Sequence, residues 1–290
     1  GAGIAGGIAY NSSNTKVLPV AVAEEKQTTN EPKPTALDPK NFVSLKLLEV
    51  EPISHDTSVF RFALPEGHTA GLPIASCVVA KYTPEEGKPI VRPYTPVSDQ
   101  EAEGYVDFII KKYETGTLTP IIHNLKPGDS LEFKGPIPKY DWEKNQKANV
   151  GMIAGGTGIT PMLQIIRRVF HEKSSDKNTK ITLIFANQTD KDILLKEELD
   201  KIAKEHPDRF KVVYALDKAP EKWDGLVGYV DKEAIKKYLP SPQQEDSIIF
   251  ICGPPLMVKS IAGAKDKMQQ GELDGYLKEL GYAKDNVFKF

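Results

Sequence analysis

Arg92, Tyr94 and Thr95 bring a guanidinium, a phenol ring and a hydroxyl close together in the run Arg92-Pro93-Tyr94-Thr95-Pro96-Val97-Ser98. Pro93 and Pro96 hold the backbone extended and remove competing N–H donors. Along an extended strand, residues two apart face the same side, so Arg92 and Tyr94 address one ligand. A guanidinium can fork onto phosphate oxygens through two parallel hydrogen bonds, which an ammonium cannot do. Tyr94 offers a flat face beside it, and Thr95 a hydroxyl and a backbone N–H. A flat ring that carries phosphate and has one polar edge is a flavin, with N5 as the edge for Thr95. The plainer alternative is an edge strand ending at prolines, with Arg92 in a surface ion pair. Gly116-Thr117-Leu118-Thr119 follows soon after, before an expected short helix within 117–124. There, backbone N–H groups could face a diphosphate. Ile110 and Tyr113 could wall the same pocket or belong to the core.

A second group lies in the other half of the chain. Gly155-Gly156-Thr157-Gly158-Ile159-Thr160-Pro161 sits between an expected strand (150–154) and an expected helix (160–171), with Thr160 as N-cap and Pro161 first in the helix. A glycine-rich strand-to-helix turn lets the backbone approach a nucleotide closely. Cys252-Gly253-Pro254-Pro255 ends the last expected strand, where a parallel sheet opens its ligand crevice. A thiol there is small enough to lie against a nicotinamide ring, and Cys252 would position that ring rather than react. Asp217 ends another strand and could accept both ribose hydroxyls of NADH while repelling the extra phosphate of NADPH. Its alternative is a turn cap. Thr95 and Cys252 are the candidate catalytic residues.

Different elements must carry the two groups. Short runs rich in Val, Phe, Leu and Tyr between about 42 and 133, with turns such as Pro65-Glu66-Gly67 and Lys126-Pro127-Gly128-Asp129, read as a small antiparallel six-stranded barrel. After about residue 147, strands at 181–186, 210–216 and 248–252 alternate with helices at 192–205, 231–238 and after Pro254. That alternation specifies a parallel α/β sheet. The expected architecture is two-domain α+β: a leader and linker (1–40), a flavin barrel (41–146) and an α/β nucleotide domain (147–290).

At 290 residues, with 40% hydrophobic and 27% charged residues, the chain can bury two cores. A formal charge of −2 gives no reason to expect nucleic acid. Two cysteines form no disulfide framework, and the five histidines show no metal-ligand spacing. Gly rather than Met at position 1 points to a processed or truncated chain. Residues 1–9 are small and apolar but too few to cross a membrane, which takes about 20. They are either the tail of a span that begins before Gly1 or an unstructured leader. Gly1, Gly3 and Gly6 match G-x-G-x-x-G literally, but no strand precedes them, and the match is rejected.

Taken together, the segments resemble the ferredoxin-NADP reductase superfamily and, within it, the NADH-cytochrome b5 reductases. The likeness runs from about Phe42 to Phe290. It is carried by the Arg92 and Gly155 runs, Phe133-Lys134-Gly135-Pro136, Ala186-Asn187-Gln188-Thr189-Asp190 and Cys252-Gly253-Pro254-Pro255. The C-terminal run from Gly271 to Phe290 is similar to the fungal mitochondrial form. The resemblance implies FAD in the barrel, NADH on the α/β domain and a cytochrome b5-type haem protein as acceptor. A related reductase serving a quinone is the alternative. It assigns Arg92, Pro93, Tyr94 and Thr95 to flavin, and Lys111 and Tyr113 to a Lys-x-Tyr beside flavin and nucleotide. Gly116 to Thr119 become the phosphate loop, with Thr117 and Leu118 departing from the family pattern. Gly156, Thr157 and Thr160 form the nucleotide loop. Cys252, Gly253 and Pro254 lie at the nicotinamide, and Phe290 is the terminal aromatic. It further implies a monomer at the mitochondrial outer membrane or in the intermembrane space, attached through a segment before Gly1. A basic rim for an acidic haem edge would draw on Lys111, Lys112 and Lys139.

Overall fold

The computed structural model describes residues 33–144 and 146–290. The apolar leader, its glycine pattern and most of the linker lie outside the described residues. Order begins earlier than residue 40. Thr35 bridges Thr69, the N–H of Ala36 donates to Thr69 O at 2.8 Å, and Leu37 is buried.

The first sheet is built from β1 (Val43–Pro52), β2 (Thr57–Ala63), β3 (Ser76–Tyr82), β4 (Ile90–Tyr94), β5 (Tyr105–Lys111) and β6 (Ser130–Pro138), with α1 (Thr119–Asn124) between β5 and β6. All its pairings are antiparallel, in the order β4-β3-β6-β1-β2-β5. The two edge strands are drawn together just past β4. The N–H of Val97 donates to Asp107 O at 2.8 Å, and the N–H of Asp107 donates to Ser98 Oγ at 3.2 Å. Alternation sends Phe60 and Phe62 of β2 inward, where Phe62 meets Phe133 edge-on at 4.9 Å and Phe108 stacks on Phe133 at 5.0 Å. Each such ring contributes about 1.5–3 kcal/mol through burial.

β5 carries buried apolar side chains on both faces because it serves two cores. Val106, Phe108 and Ile110 face the barrel, whereas Ile109 faces a second cluster shared with the C-terminal domain. A strand covered on both faces reads as continuously apolar.

The second sheet comprises β7 (Asn149–Gly155), β8 (Lys180–Asn187), β9 (Phe210–Leu216), β10 (Leu226–Val227), β11 (Ser247–Cys252) and β12 (Val287–Lys289), all parallel, in the order β10-β9-β8-β7-β11-β12. Helices α2 (Ile159–Phe170) and α3 (Lys196–Glu205) pack on one face. On the other lie α4 (Lys232–Tyr238), α5 (Pro255–Ala262) and α6 (Gly275–Glu279). Along β7 the side chains alternate between these faces, Met152 and Ala154 one way and Ile153 the other. The chain steps from β7 outward to β10 and then returns to the opposite side of β7 as β11. The direction of strand order therefore reverses between β7 and β11, and a crevice opens outside their C-terminal ends.

Two local expectations are corrected. Thr160 is not an N-cap: the helix is entered through a 3-10 turn at Gly156–Gly158, and Thr160 lies inside α2, its hydroxyl donating to Thr157 O at 3.1 Å. The helix expected from 192 begins at Lys196. Asp192 instead closes a capping box with Thr189, its Oδ2 accepting the Thr189 N–H at 2.9 Å and hydroxyl at 2.7 Å. Among the described residues no helix is long and apolar enough to cross a membrane.

Candidate functional site

Arg92 stands exposed on β4, with Nη1 donating to Val91 O and Nη2 to Thr117 Oγ1, both at 2.8 Å. The guanidinium is thus held beside the turn that enters α1. That turn is tight. A Cβ on Gly116 would fall 2.7 Å from Thr119 Oγ1 and 2.9 Å from Tyr113 O, so only glycine fits. The Tyr113 N–H donates to Thr119 Oγ1 at 3.1 Å. Arg92, Tyr113, Gly116, Thr117 and Thr119 therefore form one cluster. Tyr94 is half-buried and packs on the barrel core. Burial pushes its phenol up to about 12, opposed by Arg92 and reinforced by Tyr113, so it is a neutral ring at physiological pH. Pro93 is exposed, and Thr95 lies half-buried just past the end of the strand. Two candidates turn inward: the side chains of Ile110 and Leu118 are buried in the barrel core. At both positions only the backbone is left for a ligand.

Lys111 ends β5 and pairs with Asp56 at 2.8 Å. Burial alone would raise the Asp56 carboxyl. Hydrogen bonds from Lys111, Thr57 and Ser54 outweigh it and hold the group below its ordinary range. Asp56 thereby fixes the direction of the Lys111 ammonium. His55 lies 3.4 Å from Asp56 and 3.7 Å from Asp192. These three side chains gather as a possible metal-holding group that sequence spacing does not reveal, but Lys111 already occupies the Asp56 carboxylate.

On the second domain, the turn after β7 meets the end of β11. A Cβ on Gly158 would collide with the backbone of Cys252, 2.6 Å from its carbonyl carbon, and would lie 2.9 Å from the Gly253 nitrogen. A Cβ on Gly253 would fall 3.2 Å from the Gly155 Cα. At these points the two loops meet backbone to backbone, as close approach requires. Gly156 holds φ +52, with nothing within 4 Å of its Cβ position, so the space above it is open. Thr157 is half-buried beside it, and Pro254 is exposed on the facing loop. Cys252 is half-buried, and burial pushes its thiol up to about 11 against the pull of Lys265. It stays protonated at neutral pH and cannot serve as a nucleophile. Phe290 lies beside it. Its N–H donates to Ile251 O at 2.9 Å, and its ring sits 5.4 Å from that of Phe250. The preceding Lys289 is buried, its ammonium donating to the carbonyls of Ala262, Gly263, Ala264 and Glu272, which anchors the terminus.

Asp217 is exposed at the end of β9, its N–H donating to Asn187 O at 3.1 Å. Burial pushes its carboxyl up, partly offset by Lys218. Asn187 ends β8 at the same sheet edge. It is buried, yet neither its amide nitrogen nor its amide oxygen has a hydrogen-bond partner among the described residues. A buried amide left unpaired costs about 1–3 kcal/mol, and it marks where a polar ligand belongs. The donor fork at Arg92, the open space over Gly156 and the unpaired Asn187 amide together fit a flavin and a nicotinamide dinucleotide. Sequence reasoning gives a role to neither Asn187 nor Asp56. No local pattern separates them from an ordinary strand end and an ordinary turn.

The two halves converge. β5, which ends in Lys111, packs directly against the Gly156–Gly158 turn.

Two family models match the chain. Residues 44–142 match the oxidoreductase FAD-binding domain family, and residues 152–263 the oxidoreductase NAD-binding domain family. The NADH-cytochrome b5 reductase 2 of Pyricularia oryzae is 48% identical, over 90% of this chain and 79% of that protein. That of Coccidioides immitis is 50% identical, over 87% and 78%. Among solved structures, the cytochrome b5 reductase domain of Ulva prolifera nitrate reductase aligns with a TM-score of 0.75 at 31% identity, covering 88% of this chain and all of that one. The CS-b5R domains of human Ncb5or in the NAD+ form align at 0.72 and 26% identity, covering 86% and 69%.

Proposed function

The chain belongs to the NADH-cytochrome b5 reductase family, and from that premise we propose how its own residues divide the work. It is an FAD-dependent oxidoreductase that takes electrons from NADH and delivers them to cytochrome b5. Bound FAD supplies the redox chemistry, accepting an electron pair from NADH and releasing single electrons to an acceptor that takes one at a time.

Arg92, pre-oriented by Thr117, grips the flavin phosphates. Tyr94 lies along the ring as a neutral phenol, and Thr95 presents its hydroxyl and N–H to the N5 edge. Gly116 to Thr119 offer backbone donors to the diphosphate. Lys111, steered by Asp56, stands with Tyr113 where flavin and nucleotide meet. Gly156 to Gly158 let the nucleotide approach the backbone, with Thr157 and Thr160 shaping the turn. Asn187 satisfies its unpaired amide on the nucleotide, and Asp217 takes the ribose. Cys252, Gly253 and Pro254 seat the nicotinamide, and Phe290 closes the pocket beside Cys252.

One observation carries this assignment: the flavin-side strand β5 and the Cys252 loop both abut the same Gly156–Gly158 turn. Rings held by these elements would be brought into one cleft, as transfer over about 3–3.5 Å requires.

Asp217 makes the nucleotide preference testable. A carboxylate against a 2′-phosphate is a like-charge contact worth several kcal/mol. Asp217→Thr should lower the ratio of kcat/KM for NADH over NADPH by roughly tenfold or more. An unchanged ratio would remove the ribose role.

For the acceptor, a basic rim remains the physical expectation. Lys111 and Lys112 are paired with Asp56 and Glu114. Lys139 is accompanied by Lys265, whose ammonium is lowered by burial and then by Lys139 itself. Reduced enzyme should pass electrons to cytochrome b5 faster than to a quinone, at a rate that falls as salt rises. A salt-indifferent rate would discard electrostatic docking, and a quinone outrunning cytochrome b5 would discard the acceptor. We place the enzyme, as a monomer, at the mitochondrial outer membrane or in the intermembrane space. The small apolar run at residues 1–9, followed by a polar, proline-bearing linker, supports attachment through a segment before Gly1.

A further inference from the structure

Helix α2 starts at the nucleotide turn, and two of its side chains leave their own domain to grip the backbone of the other. Gln164 Oε1 accepts the Ser76 N–H at 3.1 Å, and its Nε2 donates to Pro96 O at 2.9 Å and to Ser76 O at 3.3 Å. One turn further on, Arg167 donates from Nη1 to Val97 O, while its Nε and Nη2 fork onto Glu198 at 2.7 and 2.8 Å. Every barrel atom they hydrogen-bond to is main chain. These contacts therefore register where the barrel backbone runs and are indifferent to which side chains it carries.

The gripped segment matters because of its neighbours. Pro96 and Val97 follow directly on Tyr94 and Thr95. Gln164 is the sixth residue of α2, roughly 9 Å along its axis from the end of the Gly156–Gly158 turn. One short rigid rod thus joins the turn that seats the nucleotide to the strand that carries the flavin. Around it, Ile74, Val97, Ile109 and Trp142 of the barrel side pack with Met162, Leu163 and Ile166. Apolar burial supplies adhesion but is non-directional. Hydrogen bonds with fixed distances and angles supply register.

The geometry points to Gln164 and Arg167 as positioning residues that set how the nicotinamide stacks on the flavin. This rests on the cleft described above, in which the barrel and the sheet each deliver one ring. Neither side chain touches the reacting atoms. They act through Pro96, Val97 and Ser76, and Glu198 in turn fixes the Arg167 guanidinium. Misplacement by about 1 Å from a site remote from the chemistry costs roughly 100-fold in rate, so the loss of three directional bonds at this joint is a kinetic event.

The test uses holoenzyme carrying Gln164→Met, which keeps volume and removes all three bonds, with Arg167→Met as the second variant. Four readouts are taken. Two report binding alone: flavin content, and affinity for ADP-ribose as a probe of the nucleotide seat. The third is the long-wavelength absorption that NAD+ gives when stacked on dithionite-reduced protein. The fourth is the rate of flavin reduction at saturating NADH. Hydrogen exchange at the Ser76 amide reports independently that the contact is broken.

Expected are unchanged flavin content and ADP-ribose affinity, faster Ser76 exchange, a weakened long-wavelength band and reduction slowed by roughly 10- to 100-fold. Faster Ser76 exchange with band and rate unchanged would overturn the proposal. So would loss of flavin or of ADP-ribose binding in both variants, since that makes the residues structural. Wild-type protein that NADH does not reduce would instead remove the functional reading on which the proposal stands.

Discussion

Arg92→Ala should purify almost free of flavin. The side chain is exposed and, among the described residues, packs in neither core and hydrogen-bonds only to Val91 O and Thr117. Its loss therefore leaves the barrel intact. What disappears is a cation with a bidentate fork, already aimed by Thr117 beside the Gly116 turn. Hydrogen bonds to charged groups contribute about 1.5–3 kcal/mol each, so losing two weakens FAD binding by roughly 100-fold or more. Arg92→Lys should retain part of that affinity, because the charge stays and the fork does not. Flavin absorbance per polypeptide, together with the thermal midpoint of the apoprotein, reads both effects. A fully yellow Arg92→Ala protein would refute the phosphate role.

Gly158→Ala should abolish reduction by NADH while leaving FAD bound. The added methyl would strike the Cys252 carbonyl and crowd the Gly253 nitrogen, and both are backbone at the end of a central strand. Neither can swing away as a flexible side chain could. Overpacking of this kind costs about 1–3 kcal/mol where side chains can adjust, and more where they cannot. Relief comes only if the two loops separate, which moves the nicotinamide seat away from the barrel. Reduction at saturating NADH should fall on the order of 100-fold. Gly156→Ala is the informative contrast, since its Cβ position is open and the change brings only the strain of a left-handed backbone, roughly 1–2 kcal/mol. Gly158→Ala reduced by NADH as fast as wild type would show that the loop contact is not part of the site.

Much of this site is legible in the amino-acid sequence, and the reason is physical. Arg92 and Tyr94 sit two apart on a strand, so the period of extended backbone alone places them on one side. The glycines at 155, 156 and 158 lie between a strand and a helix, which is the setting such a turn needs. What the sequence hides depends on contacts between distant segments. Asp56 looks like any turn aspartate until Lys111 is placed beside it from the far end of β5. Asn187 looks like a strand end until its buried amide is found unpaired. Thr160-Pro161 imitates a helix start, but the turn at Gly156–Gly158 begins the helical path four residues earlier. β5 reads as a strand, but its run Phe108-Ile109-Ile110 hides that Ile109 and Ile110 face different cores. Gln164 and Arg167 carry no motif at all, because their partners are main-chain atoms whose positions no side-chain pattern records.

The most direct measurement is an anaerobic titration of the FAD-loaded protein with NADH, followed in the visible spectrum. One equivalent of NADH should bleach the flavin, and oxidised cytochrome b5 added afterwards should restore its colour while becoming reduced itself. A protein that takes up no flavin, or one whose flavin stays oxidised beside excess NADH, would contradict the convergence of barrel and sheet on a single electron-transfer cleft.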